Sequence, residues 1–192
     1  LLTIEEAETV MKDKLIIAPL VMRGQCGHRD SQLVKTDVPF SRQALKPSRT
    51  LVFLPETPPC HISGLASEHG LEIEGLYQAE YSRLPTVRAG WYLIDRQPLR
   101  GSRNASFEEQ MHLLPEGRVL PNAALAILVA IAGHVAEKRV LPVDVWLRTC
   151  TSLDQDRCLA VHCYNGTVKV SAPRNFTRHD QLGMITMIAP ER

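Results

Sequence analysis

Four side chains able to bind metal or act as nucleophiles fall in two short stretches. Cys26 and His28 lie two residues apart, and Cys60 stands directly before His61. Thiolate sulfur and imidazole nitrogen are the usual zinc donors, so two loops meeting there would bring four ligands together. The spacing argues against it, because structural sites separate paired ligands by two to five residues and adjacent residues rarely both ligate. Cys26, His28 and Asp30 would share one face of an extended segment, and a thiolate–imidazole pair is a nucleophile design. Such a pair normally comes from separate elements, which lets the ring approach the sulfur. The chain has no G-x-S-x-G, H-E-x-x-H, P-loop or G-x-G-x-x-G pattern. Glu108–Glu109 and Asp154–Asp156 suit a helix start and a turn better than an acid–base pair. The expectation is a protein without metal or cofactor that is not an enzyme. A zinc- or cysteine-dependent enzyme built on Cys26, His28, Cys60 and His61 is the alternative.

The second group is a band from 77 to 103. Tyr77, Tyr81, Trp91 and Tyr92 interleave there with Arg83, Arg88, Arg96, Arg100 and Arg103, against only Glu80 and Asp95 as acids. Arginine with tyrosine and tryptophan serves both protein–protein hot spots and base stacking. The plainer reading puts Trp91 and Leu93 in the core and leaves the arginines solvated. Tyr81, Arg83, Arg88, Trp91, Arg96, Arg100 and Arg103 are the expected interface residues, toward a protein partner or a second copy. Single-stranded nucleic acid through the same band is the alternative. A net charge of +1, from 22 basic and 21 acidic residues, offers no global field to attract it.

These residues must be held by a scaffold, and its centre is Pro121 to Lys138, PNAALAILVAIAGHVAEK. Alanine, the best helix former, dominates it, and no polar stripe opposes the apolar one, so the helix should be covered on all sides. Pro121 suits the first helical position. The apolar run is about 14 residues, short of the roughly 20 a bilayer needs. His134, in its last turn, reads as a rim histidine.

Around the helix, Thr3 to Glu6 forms a capping box opening a helix to about Lys14. Leu15 to Met22 is an edge strand interrupted by Pro19. Residues 23–49 are loop-rich, with a helical turn near 41–45. Thr50 to Leu54 is a buried strand stopped by prolines, and 62–69 a short helix ended by Gly70. Gly90 to Ile94 is a strand, 106–114 a second capped helix, and Val143 to Cys150 an alternating strand. Asn165-Gly166 is the preferred dipeptide of a two-residue hairpin. Pairing Tyr164 with Thr167 puts Leu159, Val161, Cys163, Val168, Val170 and Ala172 on one apolar face, so that register should be native. It also sends Cys163 inward and His162 outward, opposite Lys169. Leu182 to Ala189 reads as a last strand in the sheet interior. The fold expected is α+β: one antiparallel sheet of about five strands on a central buried helix, in one domain over 1–192.

GWYLI at 90–94, Ser102, FEEQ at 107–110, the Leu-Pro and alanine-rich helix, DVWLRT at 144–149 and the hairpin resemble a family of bacterial hypothetical proteins with no assigned activity. Pro39-Phe40-Ser41 and the strand at Thr50 fit the same pattern, which spans about three quarters of the chain. The resemblance implies one domain and a bacterial origin, and it transfers no site residue. Five cysteines without close-spaced pairs favour a reducing compartment, whereas sequons at Asn104, Asn165 and Asn175 pull toward a secretory one. No signal peptide is visible. The expected location is cytoplasmic, the protein soluble, with no membrane contact.

Overall fold

The computed structural model describes residues 1–17, 37–76, 81–138, 140–142 and 144–188. The elements run α1 (Ile4–Met11), a 3-10 turn (Lys12–Lys14), β1 (Leu15–Ile17), β2 (Arg49–Leu54), α2 (Pro59–Glu68), β3 (Glu72–Glu74) and β4 (Gly90–Asp95). They continue with α3 (Phe107–His112), β5 (Arg118–Val119), α4 (Ala123–Val135), β6 (Trp146–Ser152), β7 (Cys158–Tyr164), β8 (Thr167–Ser171), β9 (Leu182–Met184) and β10 (Met187–Ile188). The class is α+β, but the described residues form two five-stranded mixed sheets rather than one antiparallel sheet. Their strand orders are β1-β2-β4-β10-β5 and β3-β8-β7-β6-β9.

The second sheet exists because α4 is apolar all round. One sheet covers one side of a helix; here ten of its residues are buried, from Ala123 through Gly133. Ile16, Val52, Leu54 and Ile94 of the first sheet close one side. Leu147, Leu159, Val161, Val168 and Val170 of the second close the other, and Ile62, Leu65 and Ala66 of α2 complete the core. Each fully buried Leu or Ile contributes roughly 1.5–3 kcal/mol relative to exposure. Pro121 is not the first helical residue. Asn122 takes the N-cap and accepts from the Leu125 N–H at 2.8 Å, which leaves Pro121 outside the helix. A second orphan N–H, that of Ala123, donates to Thr151 Oγ1 on β6 at 2.8 Å, tying the helix start to the second sheet.

The first sheet is buried on both faces. Leu51, Phe53, Trp91 and Leu93 pack away from α4 against Ala7 and Met11 of α1 and against Val38, Phe40 and Leu45. Phe53 and Trp91 meet edge to face at 5.1 Å. The hairpin register is as counted, Tyr164 opposite Thr167 and His162 opposite Lys169. Leu182–Ala189 is not one strand. Its start pairs with β6 at an edge of the second sheet and its continuation runs between β4 and β5 in the first, so the chain crosses between sheets at Ile185–Thr186. Pro58-Pro59 caps and opens α2 rather than only stopping β2. The 62–69 helix is therefore longer at its start. The strand reading for Leu15–Met22 holds over 15–17, the remainder lying outside the described residues.

Candidate functional site

Among the described residues, charged side chains from several strands converge where the first sheet ends. Arg49 opens β2 and Asp95 closes β4, and the antiparallel register sets their Cα atoms opposite each other. Arg118 arrives on β5, and Thr186 immediately precedes β10, the strand between β4 and β5. The Asp95 carboxylate accepts from Arg49 Nε at 3.1 Å and from Arg118 Nη1 at 2.7 Å, and also from the Thr186 hydroxyl. Arg49 spends another donor on the Ala44 carbonyl. The backbone N–H of Asp95 donates to Thr186 O at 2.9 Å, a second tie between β4 and the turn before β10.

One carboxylate thus serves two guanidinium groups, with side chains of Arg49 and Arg118 only 8% and 17% exposed. Burial lowers the Arg118 pKa, the neighbouring Arg49 charge lowers it further, and Asp95 opposes both. Arg100 and Lys46, both exposed, add two further cations to the same cavity of about 310 Å³. Pro98, Leu99 and Pro115 supply apolar wall. Four cations around one already engaged anion leave a positive cleft at a partly desolvated sheet end. There each added hydrogen bond to an anion is charge-assisted and stronger than in water.

The band read from the sequence is dispersed. Trp91 is 2% exposed and belongs to the core, so it offers no surface. Tyr81 is half-buried against the main core, and burial pushes its hydroxyl pKa up while a hydrogen bond with Ser63 opposes that. Arg83 donates to the Leu153 carbonyl at 3.2 Å, and Arg103 pairs with Asp144 at 2.9 Å. Arg88 is exposed, its carbonyl accepting from the Tyr92 hydroxyl at 2.7 Å. Arg88 and Arg96 flank the six residues of β4, about 20 Å of strand, so they lie at opposite ends of the sheet. Alternation sends Arg96 into a different cavity, of about 220 Å³, shared with Lys14, Lys138, Asp13 and Glu137. Arg100 alone of the seven lines the cleft.

Arg49, Arg118, Lys46 and Thr186 were not singled out from the sequence. Two strands, the loop before β2 and the turn before β10 deliver them, and no local spacing links them. One signal was available: Arg49 is the single charged residue of β2, a strand buried at every position. Of the metal candidates, Cys60 is exposed and His61 half-buried in the first turn of α2, and Cys26 and His28 lie outside the described residues. Among the described residues no three His, Cys, Asp or Glu side chains cluster as metal ligands. Burial pushes the Cys163 thiol up to about 12, away from nucleophile chemistry. No helix among the described residues is long and apolar enough to cross a membrane.

Comparison of the chain with protein-family models, with curated proteins and with solved structures finds no match.

Proposed function

We propose that this is a non-enzymatic binding protein whose cleft at Arg49, Arg100, Arg118 and Lys46 docks carboxylates of a protein partner. The observation that carries the reading is the sharing of Asp95 by two largely buried arginines, with two more cations lining the same cavity. Proteins rarely bury an excess of like charge without a compensating group. An acidic segment of a partner is that group. Fixed arginine forks suit carboxylates in bidentate fashion, and the proline and leucine wall fits the apolar part of a side chain. Of the arginines in the 77–103 band, this proposal uses Arg100, which lines the cleft.

Single-stranded nucleic acid is the weaker alternative. It needs exposed aromatic faces beside the cations for stacking, whereas Trp91 is in the core and Tyr92 is half-buried. The test is a fluorescence-anisotropy titration of labelled hexaglutamate and of labelled oligothymidylate at low salt. Hexaglutamate should bind saturably, and the paired exposed changes Lys46→Glu and Arg100→Glu should weaken it by more than about tenfold. Absence of hexaglutamate binding, or tighter binding of oligothymidylate lost in the same variant, overturns the reading.

A further inference from the structure

The outer face of the second sheet carries a hollow unrelated to the cleft. Its floor is Trp146 of β6, Ala160 of β7 and Ser171 of β8, and its wall comes from the segment 173–182; the cavity is about 290 Å³. Ala160 and Ser171 are directly opposed across the hairpin. Side chains this small at the centre of a sheet face leave a depression beside the large indole of Trp146. The volume is at the lower end of small-molecule pockets, roughly 300–1,000 Å³.

The wall is fixed in place by a buried cation. Arg148 is fully buried. Its Nη2 donates to the carbonyls of Thr177 at 2.6 Å and Arg174 at 3.2 Å, and its Nη1 to Ala105 O at 3.2 Å and Gln110 Oε1 at 3.1 Å. Gln110 in turn donates to the Ser102 carbonyl at 2.5 Å. Further backbone bonds hold the same segment: Phe107 N–H to Asn175 O at 2.7 Å, Asn104 N–H to His179 O at 2.9 Å and Asn175 N–H to Asp156 O at 2.6 Å. A wall tied at so many points is formed before any ligand arrives, which spares the ordering cost of binding.

The lining defines the ligand class. It holds no Asp, Glu, Lys or Arg, but offers the Trp146 indole together with the hydroxyls of Ser171 and Thr177, the His179 ring, whose Nδ1 accepts from the Gln181 N–H, and the Gln181 amide. Trp146 already stacks with His162 at 5.1 Å and 23°, and His162 with Tyr164 at 6.3 Å and 13°. A planar ring is therefore the shape this face already accommodates. We infer that the hollow between Trp146, Ala160 and the 173–182 segment is a binding site for a small uncharged heteroaromatic ring with a hydrogen-bonding edge.

The two tryptophans separate this site from the rest of the molecule. In ¹H–¹⁵N spectra of the full chain, with Trp146→Phe used to assign the indole peaks, adenine is added as the probe and cyclohexanol as a non-planar control. Adenine should shift the Trp146 indole peak saturably and leave that of Trp91 in place. Ala160→Leu should weaken the effect at least tenfold by filling the floor. Ser171→Leu, at an exposed position, should do the same without disturbing the core. Equal movement of both indoles, no saturable shift with adenine, an equal response to cyclohexanol, or an undiminished response in Ser171→Leu would each overturn the assignment.

Discussion

Asp95 is the residue on which the cleft turns, because stability and recognition ask opposite things of it. Removing its charge leaves the two guanidinium groups to repel each other where water is scarce. With the carboxylate partly exposed, Asp95→Asn should cost about 2 kcal/mol, below the 3–5 of a fully buried broken pair. A purely structural ion pair predicts only that loss, read as a lower midpoint in urea. A recognition cleft predicts in addition that hexaglutamate binds the variant more tightly, since the competing anion has gone. Stability falling with affinity unchanged or lower would favour the structural role. Cys163 gives a second residue-scale expectation. Its folded pKa is pushed up to about 12, whereas a free thiol ionises near about 8.5. The native state therefore holds this proton through a window in which the unfolded chain has lost it. The stability contributed is complete below the unfolded value and is lost as pH rises from about 9 toward 12. Burial raises Cys150, Cys158, Tyr81 and Tyr92 in the same direction. Cys163→Ala should flatten the alkaline limb measured by chemical denaturation, and an unchanged slope would contradict the assignment.

At the scale of elements, α4 contains a competition that can be decided by magnitude. Gly133 lies in its last turns, where alanine would gain about 1 kcal/mol in helix propensity. A Cβ there would stand 2.7 Å from Val140 Cγ2 and 2.9 Å from the Lys138 carbonyl. The chain folds back at this point, with the Lys138 N–H donating to Gly133 O at 2.8 Å. Overpacking of this kind costs about 1–3 kcal/mol, so Gly133→Ala should lower the thermal midpoint rather than raise it. The helix itself was legible in the sequence, as was the hairpin register, because each depends on local pattern: alanine content in one case, Asn-Gly and strict alternation in the other. The short strands β3 and β5 were not, nor was the division of the single strand read over Leu182–Ala189 into β9 and β10 in different sheets. Two or three residues carry no period, and their pairing is decided by partners distant in the chain, such as Met187 between Ile94 and Val119. The cleft was illegible for the same reason, since β2, β4, β5 and the turn before β10 each contribute one part. What the band did contain was Arg100. The other arginines looked like one surface because sequence proximity hides the length of β4 that separates Arg88 from Arg96.

For the whole molecule, a helix enclosed by two sheets places the cooperative core at α4 and leaves chemistry to the sheet ends and outer faces. Slowest amide exchange should fall within Leu125–Ala132, buried between the sheets, and faster exchange there than in α1 would contradict this order of stability. With a net charge of +1 the protein exerts little long-range pull, so attraction of an acidic partner has to come from the cleft. Binding should accordingly weaken with salt, but less steeply than for a nucleic-acid protein that neutralises many phosphates. The most direct test observes the cations themselves. In ¹H–¹⁵N spectra of the arginine Nε–Hε groups, hexaglutamate should move the peaks of Arg49, Arg100 and Arg118 together along one saturation curve, leaving Arg83 and Arg103 in place. Movement confined to Arg83, Arg88 or Arg103, or no movement at saturating peptide, would contradict a carboxylate-docking cleft at the end of the first sheet.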